Sequence, residues 1–191
     1  MHPITKSRFE QFSDGVFAIA ITLLALELRV PELFSTDIAR AARELIPLIP
    51  NIVTFILSFV TIAIFWVNHH QLTQLFGTIK HRRILWSNIL FLLFLTLIPF
   101  ATQVVSTNPL HPLALLTYAF ILFAASVSFS FMRYFVHREL GETRVPMGRS
   151  IVGPIVYLLA MLVVPFSVWA PYFLIAIPAL FYFLPKDHTR G

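Results

Sequence analysis

The hydrophobic positions of this chain gather into long runs, not into the short alternations of a water-soluble core. Six runs stand out, over residues 9–28, 48–67, 84–105, 112–132, 151–168 and 170–185. About twenty consecutive apolar residues cross the hydrocarbon layer as a helix. The expected fold is therefore all-α, a polytopic membrane protein with six transmembrane helices forming a single unit over residues 1–191. The last two runs are short, close together and interrupted by Pro165, Pro171 and Pro178. Two spans, one hairpin or a re-entrant pair all fit them, because neighbouring helices satisfy the backbone groups that proline frees.

The stretch over residues 37–46 has a different pattern. Ile38, Ala41, Ala42 and Leu45 share one helical face, and Asp37, Arg40, Arg43 and Glu44 fall largely on another. That is the pattern of a short interfacial helix, with Thr36 or Asp37 as its N-cap. A surface linker and a pore-mouth lining both fit it.

Charge supplies the orientation. Lys6, Arg8, Lys80, Arg82, Arg83, Arg133, Arg138, Arg144, Arg149, Lys186 and Arg190 fall on one side of the six-span arrangement, eleven of the fourteen Lys and Arg. Arg29, Arg40 and Arg43 fall on the other. The positive-inside rule then places both the N and the C terminus in the cytoplasm. The net charge of +5 reads as this basic face, with no nucleic acid as partner. Composition agrees: 58% of residues are hydrophobic and 12% charged, against about 25% charged in soluble domains. The absence of cysteine removes disulfides, thiol nucleophiles and Cys-based metal sites. The start of the chain has no cleavage pattern after its apolar run, so no cleaved leader is expected.

Polar residues inside a bilayer are costly, and a spanning helix that keeps them is a functional candidate. The first helix keeps Arg8, Ser13, Asp14 and Thr22. Gly15, Ile19, Thr22, Leu23 and Leu26 share one face, with Ala18 and Ala25 beside it to admit a second helix. A core-packing stripe and a pore wall both fit this face; as a pore wall, Ile19, Leu23 and Leu26 would form a constriction that dewets when narrow. Ser13 and Asp14 are good N-cap residues, yet Phe9 to Phe12 already read as helix, so Asp14 wants a donor partner. Trp66, Asn68, His69, His70 and Asn88 arrive at the same level by topology. His69 and His70 point about 100 degrees apart on a helix, so they do not share a metal, and no metal site is expected. Glu27 is either a mouth charge that attracts cations or an interfacial residue beside Arg29. Asn88 and Thr96 suggest inter-helix hydrogen bonds, and Pro99 a kink. No G-x-S-x-G, H-E-x-x-H, P-loop or paired-carboxylate motif is present, so no enzyme and no cofactor are expected.

Arg8 followed by Phe12-Ser13-Asp14-Gly15-Val16-Phe17-Ala18-Ile19-Ala20-Ile21-Thr22-Leu23-Leu24, with Glu27 closing the helix, resembles the signature first helix of the endolysosomal potassium channel family marked by an FSD motif. Trp66-Val67-Asn68-His69-His70 and the stretch from Asn88 to Phe100 are similar to the same family. The resemblance is strong over the first three helices and rests on length and hydropathy over the rest. It implies a potassium-preferring cation channel in the prokaryotic plasma membrane. It also implies a homotetramer in the lipid bilayer, with the first helix of each subunit lining a central pore for monovalent cations. By position it implies a constriction at Ile19 with apolar layers at Leu23 and Leu26, and a selectivity layer at Thr22. A structural network of Arg8, Phe12, Ser13, Asp14, Trp66, Asn88 and one of His69 or His70 would tie the helix end to its neighbours. A proton-coupled secondary transporter using Asp14 and His69 or His70 is the competing reading, and a non-conducting membrane scaffold is another. The chain carries no T-V-G-Y-G filter and no arginine-repeat voltage sensor, so selectivity would come from side chains of the first helix.

Overall fold

A computed structural model describes residues 4–28, 36–79, 81–141 and 148–183. Among the described residues the regular structure is helical except for two two-residue strands. Helix α1 is Lys6–Leu26, α2 Ile38–Glu44, α3 Ile49–Thr73, α4 Arg82–Thr96, α5 Ile98–Thr107, α6 Pro112–Glu139, α7 Gly148–Val163 and α8 Ala170–Phe183. Strand β1, Ile4–Thr5, pairs antiparallel with β2, Thr78–Ile79. The ladder is too short to have a sequence signature, and it joins the start of α1 to the turn between α3 and α4.

The predicted runs reappear as helices with shifted ends. Among the described residues four stretches are long and apolar enough to cross a membrane: Lys6–Leu26, Ile38–Thr73, Arg82–Thr107 and Pro112–Glu139. Helix α1 begins earlier than its apolar run, because Thr5 caps it by accepting from the Arg8 amide at 3.5 Å. Neither Ser13 nor Asp14 is therefore a cap. The third run is broken at Leu97 into α4 and α5. Pro99 has no N–H for the Leu95 carbonyl, which is the usual reason a helix breaks there. Helices α7 and α8 have 16 and 14 residues. At 1.5 Å per residue they are about 20–25 Å long, short of the hydrocarbon thickness by length alone. In α2, Asp37 caps the helix by accepting from the Arg40 amide at 3.0 Å. Its Ile38 stays exposed, and the helix packs on the 3₁₀ turn Ile46–Leu48 that follows it.

The core is built around α6, which packs against α4, α7 and α5, while α1 lies against α3, α4 and α5. Gly153 of α7 sits where an added Cβ would lie 3.3 Å from the Ser126 Cβ, so these two helices meet at close range. The start of α1, the end of α3, the start of α4 and the end of α6 gather at one end of the bundle. That end carries Lys6, Arg8, Arg82, Arg83, Arg133 and Arg138. Arg29, Lys80, Arg144, Lys186, Arg190 and residues 184–185 of the sixth run lie outside the described residues, as does the side chain of Arg149.

Candidate functional site

Helix α1 divides into two faces. Phe9, Ser13, Phe17, Ala20 and Leu24 recur every three or four residues and are buried. They form the stripe that a helix presents to its neighbours. Ser13 is the polar member of that stripe and is fully buried. Its hydroxyl donates to the Phe9 carbonyl at 3.0 Å. It must therefore accept from Asn88, whose Nδ2 lies 3.0 Å away. That orientation turns the Asn88 Oδ1 toward His69 Nε2, at 2.9 Å. An amide oxygen only accepts, so His69 carries its proton on Nε2. The three side chains are thus a directed chain from α3 through α4 to α1.

Aromatic rings close the chain off. The His69 ring stacks on Phe9 at 5.8 Å and on Phe91 at 6.1 Å, and meets Phe17 edge-on at 5.5 Å. Of the two adjacent histidines, His69 is the one that joins the network. His70 is exposed and stacks on Trp66 at 5.9 Å. The pair diverge, and among the described residues no three metal-ligating side chains gather.

Asp14 forms a separate, exposed contact: Trp66 Nε1 donates to its Oδ1 at 3.0 Å. The sequence put Arg8, Phe12, Ser13, Asp14, Trp66 and Asn88 in one network. The structure makes two, Ser13–Asn88–His69 inside and Asp14–Trp66–His70 outside. Arg8 and Phe12 join neither within one protomer. The Arg8 side chain makes no hydrogen bond to a described residue, and Phe12 is exposed. Asn68 donates to the Ile64 carbonyl at 2.8 Å. Thr96, expected to bridge helices, donates to Leu93 of its own helix at 2.8 Å.

The other face of α1 is uncovered. Ile19 is 59% exposed, Leu23 41% and Leu26 72%. Gly15, Ala18, Thr22 and Ala25 are exposed beside them. This is the face that periodicity selected, and within one protomer it is not a core-packing stripe. A Cβ added at Gly15 meets nothing within 4 Å. The Thr22 hydroxyl lies 3.0 Å from the Ala18 carbonyl and 2.9 Å from that of Ile19. Its hydrogen is spent on its own helix, so what it presents outward is oxygen lone pairs, a surface suited to a cation.

Two polar clusters were missed in the sequence. Glu10 Oε1 accepts from Thr73 at 2.8 Å and from Gln74 at 3.4 Å, and Lys6 Nζ donates to Gln74 Oε1 at 2.9 Å. Deep in the bundle, the Ser58 hydroxyl lies 2.7 Å from that of Thr102 and 2.8 Å from that of Tyr118. The i,i+4 spacing of Lys6 and Glu10, which lie 3.8 Å apart, was the signal available for the first; isolated hydroxyls in apolar runs gave none for the second.

The profile of a family described as endosomal/lysosomal potassium channel TMEM175 matches residues 8–99. That stretch contains both networks and the uncovered face of α1. A Chryseobacterium protein named a potassium channel is 36% identical over 141 residues, 73% of this chain and 69% of its own length. A Gallus gallus protein named an endosomal/lysosomal proton channel TMEM175 is 38% identical over 113 residues, 54% of this chain but 22% of its own length. The crystal structure of a lysosomal potassium-selective channel TMEM175 homolog from Chamaesiphon minutus superimposes with a TM-score of 0.82 at 31% identity, covering 93% of this chain and 95% of that one. The chain belongs to the TMEM175 channel family.

Proposed function

We propose that this chain is a potassium-preferring cation channel of a prokaryotic plasma membrane, built as a homotetramer whose four α1 helices surround a central pore. The observation that carries the reading is the uncovered face of α1, where Ile19, Leu23 and Leu26 stand free while the opposite face is anchored by Ser13. Lipid covers other apolar faces of the bundle, but this one interleaves its large residues with exposed Gly15, Ala18, Thr22 and Ala25, the small and polar groups that admit a second copy around an axis. Ile19 then forms the narrowest ring, with Leu23 and Leu26 as further apolar layers that resist wetting. Thr22 offers the oxygen layer between them. The C-terminal end of α1 carries the negative pole of the helix dipole, and Glu27 adds a carboxylate there, so that mouth favours cations. The basic end of the bundle faces the cytoplasm in this reading.

The experiment is current through the purified protein in planar bilayers. Bi-ionic potassium and sodium solutions should give a reversal potential displaced toward potassium; no displacement removes the preference. Ile19→Asn should raise the current, and an unchanged current places the barrier elsewhere. The transporter alternative needs a carboxylate facing a histidine. Asp14 accepts from Trp66 and His69 bonds Asn88, so among the described residues no hydrogen bond or ion pair joins Asp14 to either histidine.

A further inference from the structure

Two adjoining clefts lie at the basic end of the bundle, between the α3–α4 turn and the end of α6. One is about 540 Å³ and is bounded by Phe76, Gly77, His81 and Glu139. The other is about 510 Å³ and is bounded by Arg82, Arg83, Phe135 and Arg138. They share His81, Ile84 and Glu139. Neither belongs to the networks of α1.

We infer that these clefts form a binding site for the phosphate group of an anionic phospholipid. Four observations converge on it. Three arginines face one cleft, and none forms an ion pair with a described residue. Helix α4 begins there, with no side-chain cap from His81 and no acidic residue in its first turn. Its free amides and positive pole therefore add to the arginines. Glu139, the one carboxylate among the described lining residues, leaves its Oε2 buried without a hydrogen-bond partner and forms no ion pair with these arginines, so its charge opposes an anion without tying any arginine down. Finally, each arginine helix carries an exposed aromatic residue one turn further into the bundle: Trp86 after Arg82 on α4, and Tyr134 before Arg138 on α6. Trp and Tyr mark the headgroup level of a bilayer, and basic clefts between spanning helices at that level suit anionic headgroups.

The site is connected to α1. Phe76 lines the cleft and meets the Phe9 ring at 5.8 Å, and β2 beyond it pairs with β1, whose Thr5 caps α1. An occupant would brace the turn that holds the first turn of α1.

The test uses the purified full chain in detergent, with apparent affinities for dioleoyl phosphatidylglycerol and dioleoyl phosphatidylcholine read by native mass spectrometry. It does not depend on conduction. Phosphatidylglycerol should bind the more tightly. R82Q/R83Q/R138Q should weaken it on the order of a hundredfold, and Glu139→Gln should tighten it about fivefold, one charge's worth in each step. R40Q/R43Q, at the other end of the bundle, should bind as the unaltered chain does. Displacement by excess inorganic phosphate would assign the affinity to the phosphate alone; resistance to displacement would assign part of it to the acyl chains. Equal binding of the two lipids overturns the inference, as does unweakened binding by R82Q/R83Q/R138Q. If that triple variant does not fold, an unchanged affinity in Glu139→Gln overturns it instead.

Discussion

Ser13 and Asp14 are neighbours in sequence with opposite fates. A helix turns about 100 degrees per residue, which sends Ser13 into the bundle and leaves Asp14 at its surface. The cost of losing each partner should differ accordingly. Asn88→Ala strands the buried His69 N–H, and an unmet buried donor costs about 1–3 kcal/mol. Trp66→Phe removes an exposed contact to Asp14 and should cost less than about 1 kcal/mol. Thermal melting in detergent compares the two; a larger loss for Trp66→Phe would mean that the outer contact holds the helix end. Thr22→Val keeps the shape and removes the hydroxyl. Because that hydroxyl bonds only its own helix, folding should be little changed while the reversal potential moves toward the non-selective value. An unmoved reversal potential would take selectivity away from Thr22.

Helices are joined here by a few polar contacts inside apolar packing. Ser58 stands between Thr102 and Tyr118, and so links α3 to α5 and α6 at once. Tyr118→Phe leaves Ser58 and Thr102 paired, whereas Ser58→Ala leaves the buried Tyr118 hydroxyl without its partner. Ser58→Ala should therefore lower the melting midpoint more, although it removes a single oxygen atom from a small side chain. Equal losses would show that the hydroxyls act independently. The contact of α6 with α7 depends on size instead. Gly153→Leu should cost about 1–3 kcal/mol, the usual range for overpacking a close contact, because Ser126 lies where the new side chain begins. A melting midpoint unchanged by that variant would mean the two helices part freely.

For the whole molecule, the proposed channel assigns the uncovered face of α1 to contact between four copies of the chain. Its mass in detergent should be four times 21.8 kDa. Ala18→Trp, which adds bulk to that face without touching the buried one, should break the assembly down toward single chains. A monomeric mass for the unaltered chain would rule out a pore made from one helix per subunit.

Much of this was legible in the chain. Apolar run length placed the long helices, since a bilayer's thickness sets helix length directly. Periodicity of 3.6 placed Gly15, Ile19, Thr22, Leu23 and Leu26 together, because local helix geometry alone decides which residues share a face. What lay beyond it was pairing across helices. The choice of His69 over His70, the separation of Ser13 from Asp14, and the failure of Arg8 and Phe12 to join either network depend on how α1, α3 and α4 rotate against one another. The Ser58–Thr102–Tyr118 contact joins three elements that no local spacing connects. The β1–β2 ladder is too short to have a period. Local physics wrote the elements and their faces into the sequence; the partners of those faces were decided by packing, where residues far apart in the chain first meet.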